Sequence, residues 1–168
     1  MSAHTAPRVL MCPPTHFAVD YEINPWMAGQ LGSADVSRAA RQWQDLHALV
    51  SDVATVELID PMSGLPDMVY AANAGLIING AAIVARFKHA ERAGEATAYA
   101  AWMGGRGHQA VATHHVNEGQ GDLLVVGTMI LAGTGFRTDP RAHDEVEAMT
   151  GVDGQPACGI VHGLNQPL

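Results

Sequence analysis

A pattern that occurs twice constrains this chain most. A hairpin, an arginine-bearing loop, a helix and a strand follow one another from Leu76 to Thr113; a hairpin, an arginine-bearing loop and a helix run again from Leu123 to Met149. The offset is about 47 residues, inside the range of repeat architectures. In the first unit Leu76-Ile77-Ile78 and Ala82-Ile83-Val84-Ala85 flank Asn79-Gly80, and Asn-Gly between apolar runs sets a tight hairpin turn. In the second, Leu123–Val126 and Met129–Ala132 flank Gly127. Glu95–Met103 and Arg141–Met149 read as helices, the second with Asp139 as N-cap and Pro140 in the first turn. Each unit is a ββαβ module, which buries little alone and needs neighbours. The pattern points to a propeller-like α/β assembly. An ordinary mixed α/β sandwich is the alternative the same residues permit.

Upstream, Arg8–Cys12 reads as a strand closed by Pro13-Pro14, and residues 15–32 read as irregular. Pro25 biases Asn24 toward an extended backbone. Ser33 is the expected N-cap of a helix over Ala34–Val50, where Val36, Ala39, Ala40, Trp43, Leu46 and Val50 recur at helical spacing. Thr55–Ile59, Asp67–Tyr70 and Gln109–Thr113 read as further strands. A length of 168 residues and 48% hydrophobic content suit one domain with an ample core. The net charge of −8 argues against nucleic acid or an anionic membrane as partner and permits a cationic ligand. No stretch suits a bilayer span, Met1–Pro7 lacks a signal-peptide pattern, and two cysteines are too few for a disulfide framework. The cytoplasm is the expected compartment.

The residues suited to chemistry sit at the ends of short apolar strands: Asp67, Asn73, Glu118 and Asp122. A guanidinium is planar, with donors in a fixed fork, so it needs carboxylates or amide oxygens along its N–H edges. Gly119 and Gly121 beside Glu118 allow close backbone approach. Arg92 and Arg137 occupy the two equivalent loops. They suit either the carboxylate of an amino acid or a salt bridge with Glu91, Glu95 or Asp139. Each acid or amide also suits a plain turn-forming role. Among nine histidines, His114 and His115 are adjacent and would point to opposite faces of a strand. No HExxH or Cys/His quartet is present, so neither a metal nor another cofactor is expected. Gly104-Gly105-Arg106-Gly107 reads as a turn rather than a phosphate loop, and Cys12 as a core thiol.

These residues resemble, in order, the N-terminal half of the pentein superfamily: dimethylarginine dimethylaminohydrolases, arginine deiminases, arginine dihydrolases and amidinotransferases. The resemblance runs over about residues 8–150. It is carried by Val9–Pro14, Tyr21–Met27, Leu65-Pro66-Asp67, Ala72–Leu76, Arg86-Phe87, Glu91–Glu95, Glu118–Asp122 and Gly135-Phe136-Arg137. It implies a partial pentein-type α/β propeller, about three of five ββαβ modules. It further implies that Asp67, Asn73 and Asn24 contact a guanidinium, and that Glu118 binds it and supports proton transfer. Arg92 and Arg137 would hold the substrate carboxylate. Asn73 with Ile23-Asn24-Pro25-Trp26 is more similar to the dihydrolases. Asn117 replaces the aromatic that often precedes the glutamate, an exchange expected to loosen that pocket wall. The implied activity is hydrolysis of arginine or methylarginine, releasing amine or ammonia with citrulline or ornithine.

The family reaction uses a cysteine thiolate and a proton-shuttling histidine. From Thr150 onward the sequence matches nothing in that pattern and has little strand or helix periodicity. Neither Cys158 nor His162 is assigned either role. Residues 1–150 are thus expected to be the family part. Residues 151–168 are expected to be an aberrant tail from a frameshifted or prematurely ended reading frame, unstructured or unrelated. The chain alone is expected to be impaired. The alternative is a non-catalytic remnant that binds guanidines or associates with itself through exposed module edges.

Overall fold

The computed structural model describes residues 6–127, 129–150 and, for the backbone, 159–164. It divides into two compact units, Met1–Ala71 and Ala72–Leu168.

The first unit is a β-α-β element. Strand β1 (Arg8–Met11) pairs in parallel with β2 (Thr55–Leu58), and helix α1 (Val36–Ser51) forms the crossover. Asp35, not Ser33, caps α1: its side chain accepts from Arg38 N at 2.8 Å. The helix therefore starts two residues later than Ala34. Asn24 is extended (φ −150°, ψ 159°), as Pro25 requires, and its Oδ1 accepts from the amides of Trp26 and Met27 at 3.1 Å. Asp67–Tyr70 is not a strand. Pro66–Val69 form a 3-10 turn, closed by Tyr70 N donating to Asp67 O at 3.0 Å. Pro66, with its fixed φ, starts that turn. Cys12 is fully buried at the end of β1.

The second unit shows the repeat as topology. Strands β3 (Gly75–Ile78) and β4 (Ala81–Val84) are antiparallel; helix α2 (Ala93–Gly105) leads to β5 (Gln109–Ala112), parallel to β4. Asn79 and Gly80 both have positive φ, as the tight hairpin needs. Strands β6 (Leu123–Val126) and β7 (Met129–Thr134) are again antiparallel; helix α3 (Pro140–Thr150) leads to β8 (Gly159–Leu164), parallel to β7. The sheets are β3-β4-β5 and β6-β7-β8. Leu76 and Ile83 of the first sheet pack with Leu123, Ile130 and Ala132 of the second and Val146 of α3 in one buried cluster. The start of α3 follows the expected cap: Arg141 N donates to Asp139 Oδ1 at 2.9 Å. Cys158 lies outside the described residues. No helix among the described residues is long and apolar enough to cross a membrane.

Candidate functional site

Glu118 stands where the segment after β5 turns into β6. The turn is a 3-10 element, Gly119–Gly121. Gly119 is required there, and Gly121 leaves room for the Asn73 side chain. Gly119 has φ +54°, and a Cβ on it would lie 2.4 Å from Gly75 N. A Cβ on Gly121 would lie 2.2 Å from Asn73 Nδ2. The turn is thereby pressed onto the start of β3, where Asn73 Nδ2 donates to Glu118 O at 3.5 Å.

Asn117 fixes the turn from the other side. It is fully buried. Its Nδ2 donates to Val84 O at 3.1 Å and to Thr113 Oγ1 at 2.8 Å, and its Oδ1 accepts from Gly119 N at 3.0 Å. The amide ties the end of β4, Thr113 just beyond β5 and the Gly119 turn together. The segment is held further by α3: His114 N donates to Glu145 Oε2 at 2.5 Å, and His115 Nδ1 contacts Glu145 Oε1. Burial alone would raise the Glu145 carboxyl, but these hydrogen bonds outweigh it and hold the group below its ordinary range. His114 and His115 lie beyond β5 in a bend, not on opposite faces of a strand.

The carboxylate of Glu118 is 2% exposed and faces two guanidinium groups. Its Oε2 lies 3.2 Å from Arg137 Nη1 and 3.9 Å from Arg92 Nη1. Arg137 Nη2 donates to Asp122 Oδ1 at 3.0 Å, Thr138 Oγ1 donates to Asp122 Oδ2 at 2.7 Å, and Glu118 N donates to Thr138 Oγ1 at 3.2 Å. Glu118, Arg137, Asp122 and Thr138 thus form a closed ring of polar contacts. Arg92 makes a bidentate pair with Glu95, Nε to Oε1 and Nη2 to Oε2, both at 2.8 Å, and its guanidinium stacks 4.4 Å from the Phe87 ring centre. Of the salt bridges open to Arg92 from the sequence, Glu95 is the one formed. Arg137 pairs with Asp122 rather than Asp139, which instead binds the exposed Arg141 at 2.6 Å. That pairing holds the Asp139 carboxyl well below the usual range.

The second unit therefore gathers Asn73, Arg92, Glu118, Asp122 and Arg137 into one neighbourhood. Asn24 and Asp67 belong to the first unit, where Asp67 is 5% exposed and Asn24 spends its oxygen on the local turn. Sequence reading missed Thr138 and the holding role of Asn117. Their only signal is a position beside Arg137 and Glu118. Among the described residues, no group of three His, Cys, Asp or Glu side chains is placed to hold a metal ion.

No protein-family model matches the chain. It is 55% identical over 146 residues to the N(G),N(G)-dimethylarginine dimethylaminohydrolase of Mycobacterium tuberculosis, a match spanning 86% of this chain and 48% of that protein. It is 41% identical over 140 residues to the bifunctional arginine dihydrolase/ornithine cyclodeaminase ArgZ of Synechocystis, spanning 81% of this chain and 20% of that one. The chain thus spans about half, or less, of the curated relatives it matches. Among solved structures, the product-bound N-terminal domain of ArgZ, an arginine dihydrolase, superposes with TM-score 0.89 at 36% identity, over 95% of this chain and 58% of that one. A dimethylarginine dimethylaminohydrolase in adduct with S-methyl-L-thiocitrulline, at 19% identity and TM-score 0.77, shares the fold. The chain's homologues are dimethylarginine dimethylaminohydrolase and the N-terminal domains of ArgZ and AgrE, proteins of the pentein superfamily, and the chain matches their N-terminal region.

Proposed function

We propose that this chain carries the guanidinium-binding part of an enzyme that hydrolyses arginine or a methylated arginine, built on modules of a partial α/β propeller. The observation that carries this reading is the charge balance of the cluster. Three carboxylates, Glu95, Glu118 and Asp122, meet two guanidinium groups, Arg92 and Arg137. Arg92 and Glu95 satisfy each other bidentately, so the excess negative charge falls on Glu118 and Asp122, which share Arg137. A buried carboxylate in excess calls for a cation. A ligand guanidinium supplies that charge in a shape matched to carboxylate oxygens.

Arg137 takes the ligand's carboxylate in this reading. Its side chain is 27% exposed, and its buried Nε has no hydrogen-bond partner. Arg92, at 6%, is assigned a weaker part, through its pairing with Glu95. Asp122 sets the tilt of the Arg137 fork, and Asn73 flanks the turn. Asp67 and Asn24 are assigned guanidinium contacts on the family resemblance alone. The structures of relatives support an arginine-like ligand, one being a variant of AgrE with L-arginine.

Binding, not turnover, is the activity assigned to this chain on its own. Cys12 is fully buried with its thiol toward Pro13 O at 3.6 Å, no position from which to attack a ligand. Calorimetry with L-arginine and dimethylarginine tests the reading. Heat of binding is expected, weakened about tenfold or more by Glu118→Gln, the loss of a charge-assisted pair. No heat from demonstrably folded chain overturns it. Release of ammonia, dimethylamine, citrulline or ornithine, abolished by Glu118→Gln, would replace binding alone with full catalysis. Homo-oligomers are assigned to the strand edges, since β3 and β6 each end a sheet. Sedimentation that shows a monomer at every concentration refutes that part.

A further inference from the structure

The segment after β4 attends to both arginines. Phe87 lies under the Arg92 guanidinium, which stands 4.4 Å from its ring centre. The next residue, Lys88, reaches into the other loop. Its Nζ donates to Phe136 O at 2.9 Å and sits 5.8 Å from the centre of the Phe136 ring. Phe136 immediately precedes Arg137.

Residues 135–138 bend between β7 and α3, starting from Gly135 at φ +103°. At the base of this loop Thr134 Oγ1 donates to Thr138 O at 2.8 Å, and just beyond it Asp139 N donates to Val116 O at 2.9 Å. Those bonds close the base, whereas Lys88 grips the Phe136–Arg137 peptide itself. A peptide unit is planar, so the Phe136 carbonyl, the Arg137 N–H and the Arg137 Cα move as one plate. A bond to that carbonyl fixes the plate from which the Arg137 side chain departs. The side chain is long and rich in rotamers. The direction in which it leaves the backbone therefore decides whether its fork meets Glu118 and Asp122 together, as it does here.

We propose that Lys88 is a positioning residue for Arg137. It clasps the second arginine loop to the first and sets the direction of the guanidinium that is assigned the ligand's carboxylate. Its effect on binding rests on the guanidinium-binding reading of the Glu118 cluster; its hold on Arg137 does not.

Calorimetry on the full chain tests this with two probes: L-arginine, and agmatine, the decarboxylated amine that keeps the guanidinium. Lys88 is exposed, so its variants are expected to fold. Lys88→Met keeps a long side chain without its donors. It should weaken L-arginine about three- to tenfold, the loss of one charge-assisted hydrogen bond at an exposed site, and leave agmatine unchanged. Lys88→Arg, which restores a cationic donor, should recover most of the L-arginine affinity. The urea midpoint should stay at the wild-type value in both variants, which separates a turned Arg137 from a general loss of structure. A second readout needs no ligand. In wild type the Arg137 Nε–H should give the heteronuclear NOE of a rigid group, and in Lys88→Met that of a mobile one. Unchanged L-arginine affinity in Lys88→Met, or an equal loss for agmatine, overturns the proposal. So does an Arg137 Nε–H as rigid without Lys88 as with it, whatever the affinities do. If wild type binds neither probe, the guanidinium reading fails, and the Arg137 signal alone decides on Lys88.

Discussion

Arg92 and Arg137 occupy equivalent loops of the two modules, yet their surroundings treat them differently. Arg92 is closed in: a buried carboxylate takes two of its donors, an aromatic ring covers one face of its guanidinium, and 6% of its side chain is exposed. Arg137 is shared: Glu118 and Asp122 each take one end of its fork, its Nε is unfilled, and 27% of its side chain is exposed. The repeat duplicated the arginine but not its partner. Glu95 lies three residues along the chain from Arg92, at the start of α2, so that pair is local and geometrically complete. Arg137 reaches back to acids on the turn before β6, and so couples two strand ends. One arginine is locked within its module; in the proposed reading the other responds to a ligand.

The largest effect expected is on Arg92. Arg92→Met leaves Glu95 buried without its partner, which costs about 3–5 kcal/mol. Urea unfolding measures it. Adding Glu95→Leu should restore most of the loss, because an apolar pair of similar volume replaces a buried ion pair at little cost. If the double variant is no better than the single, Arg92 does more than neutralise Glu95. Arg137→Met should cost less, about 1–3 kcal/mol, since its side chain is partly solvated and Asp122 keeps the Thr138 hydroxyl. L-arginine binding should fall much further than stability. Equal stability losses for the two variants would erase the contrast between them.

Asn117 sharpens the same contrast at a smaller scale. Asn117→Leu removes its hydrogen bonds to the Val84 carbonyl, the Thr113 hydroxyl and the Gly119 amide, a loss of about 1–2 kcal/mol. The Arg92–Glu95 pair does not depend on that amide, whereas the Glu118 turn does. Arginine affinity in calorimetry should therefore drop, and Asn117→Asp, which keeps the acceptor for Gly119, should recover part of it. An affinity unchanged in Asn117→Leu would remove Asn117 from the account of the site.

Local chemistry was the legible part of this chain. Asn24 extended before Pro25, the Asn79-Gly80 hairpin and the Asp139 cap are decided within a few residues, and each has a residue type suited to one conformation. Asp67–Tyr70 misled because a short apolar run fits a strand and a tight turn equally, and only Pro66 favours the turn. Strand β8 was illegible: Gly159–Leu164 has no alternation, and its place is set by β7 alongside it. In the site, the acids were found because they stand at strand ends beside glycines. Their partners were not. Glu118 with Arg137, and Asn117 with Val84, are brought together by the register of separate strands, which no spacing along the chain records.

The smallest effect expected is a pH dependence on the Glu118 side alone. Glu145 of α3 accepts from His114 N and contacts His115, and its carboxyl is held below the ordinary value in the folded chain. A carboxyl with a lowered folded pKa contributes stability that is fully present above its unfolded value, about 4.3, and is lost as pH falls through the folded one. The wild-type urea midpoint should therefore fall between about pH 5 and 3, and the Glu145→Gln chain should fall less over the same window. The pair is partly solvated, so the difference should be small beside that of Arg92→Met. Its location gives the measurement its use. Amide protection in the 113–119 segment, taken relative to the intrinsic exchange rate at each pH, should fall at the acid end in wild type, while amides around Arg92 stay protected. If both regions open together, the two arginine loops do not unfold as separate parts, and the division between a structural and a responsive arginine fails with them.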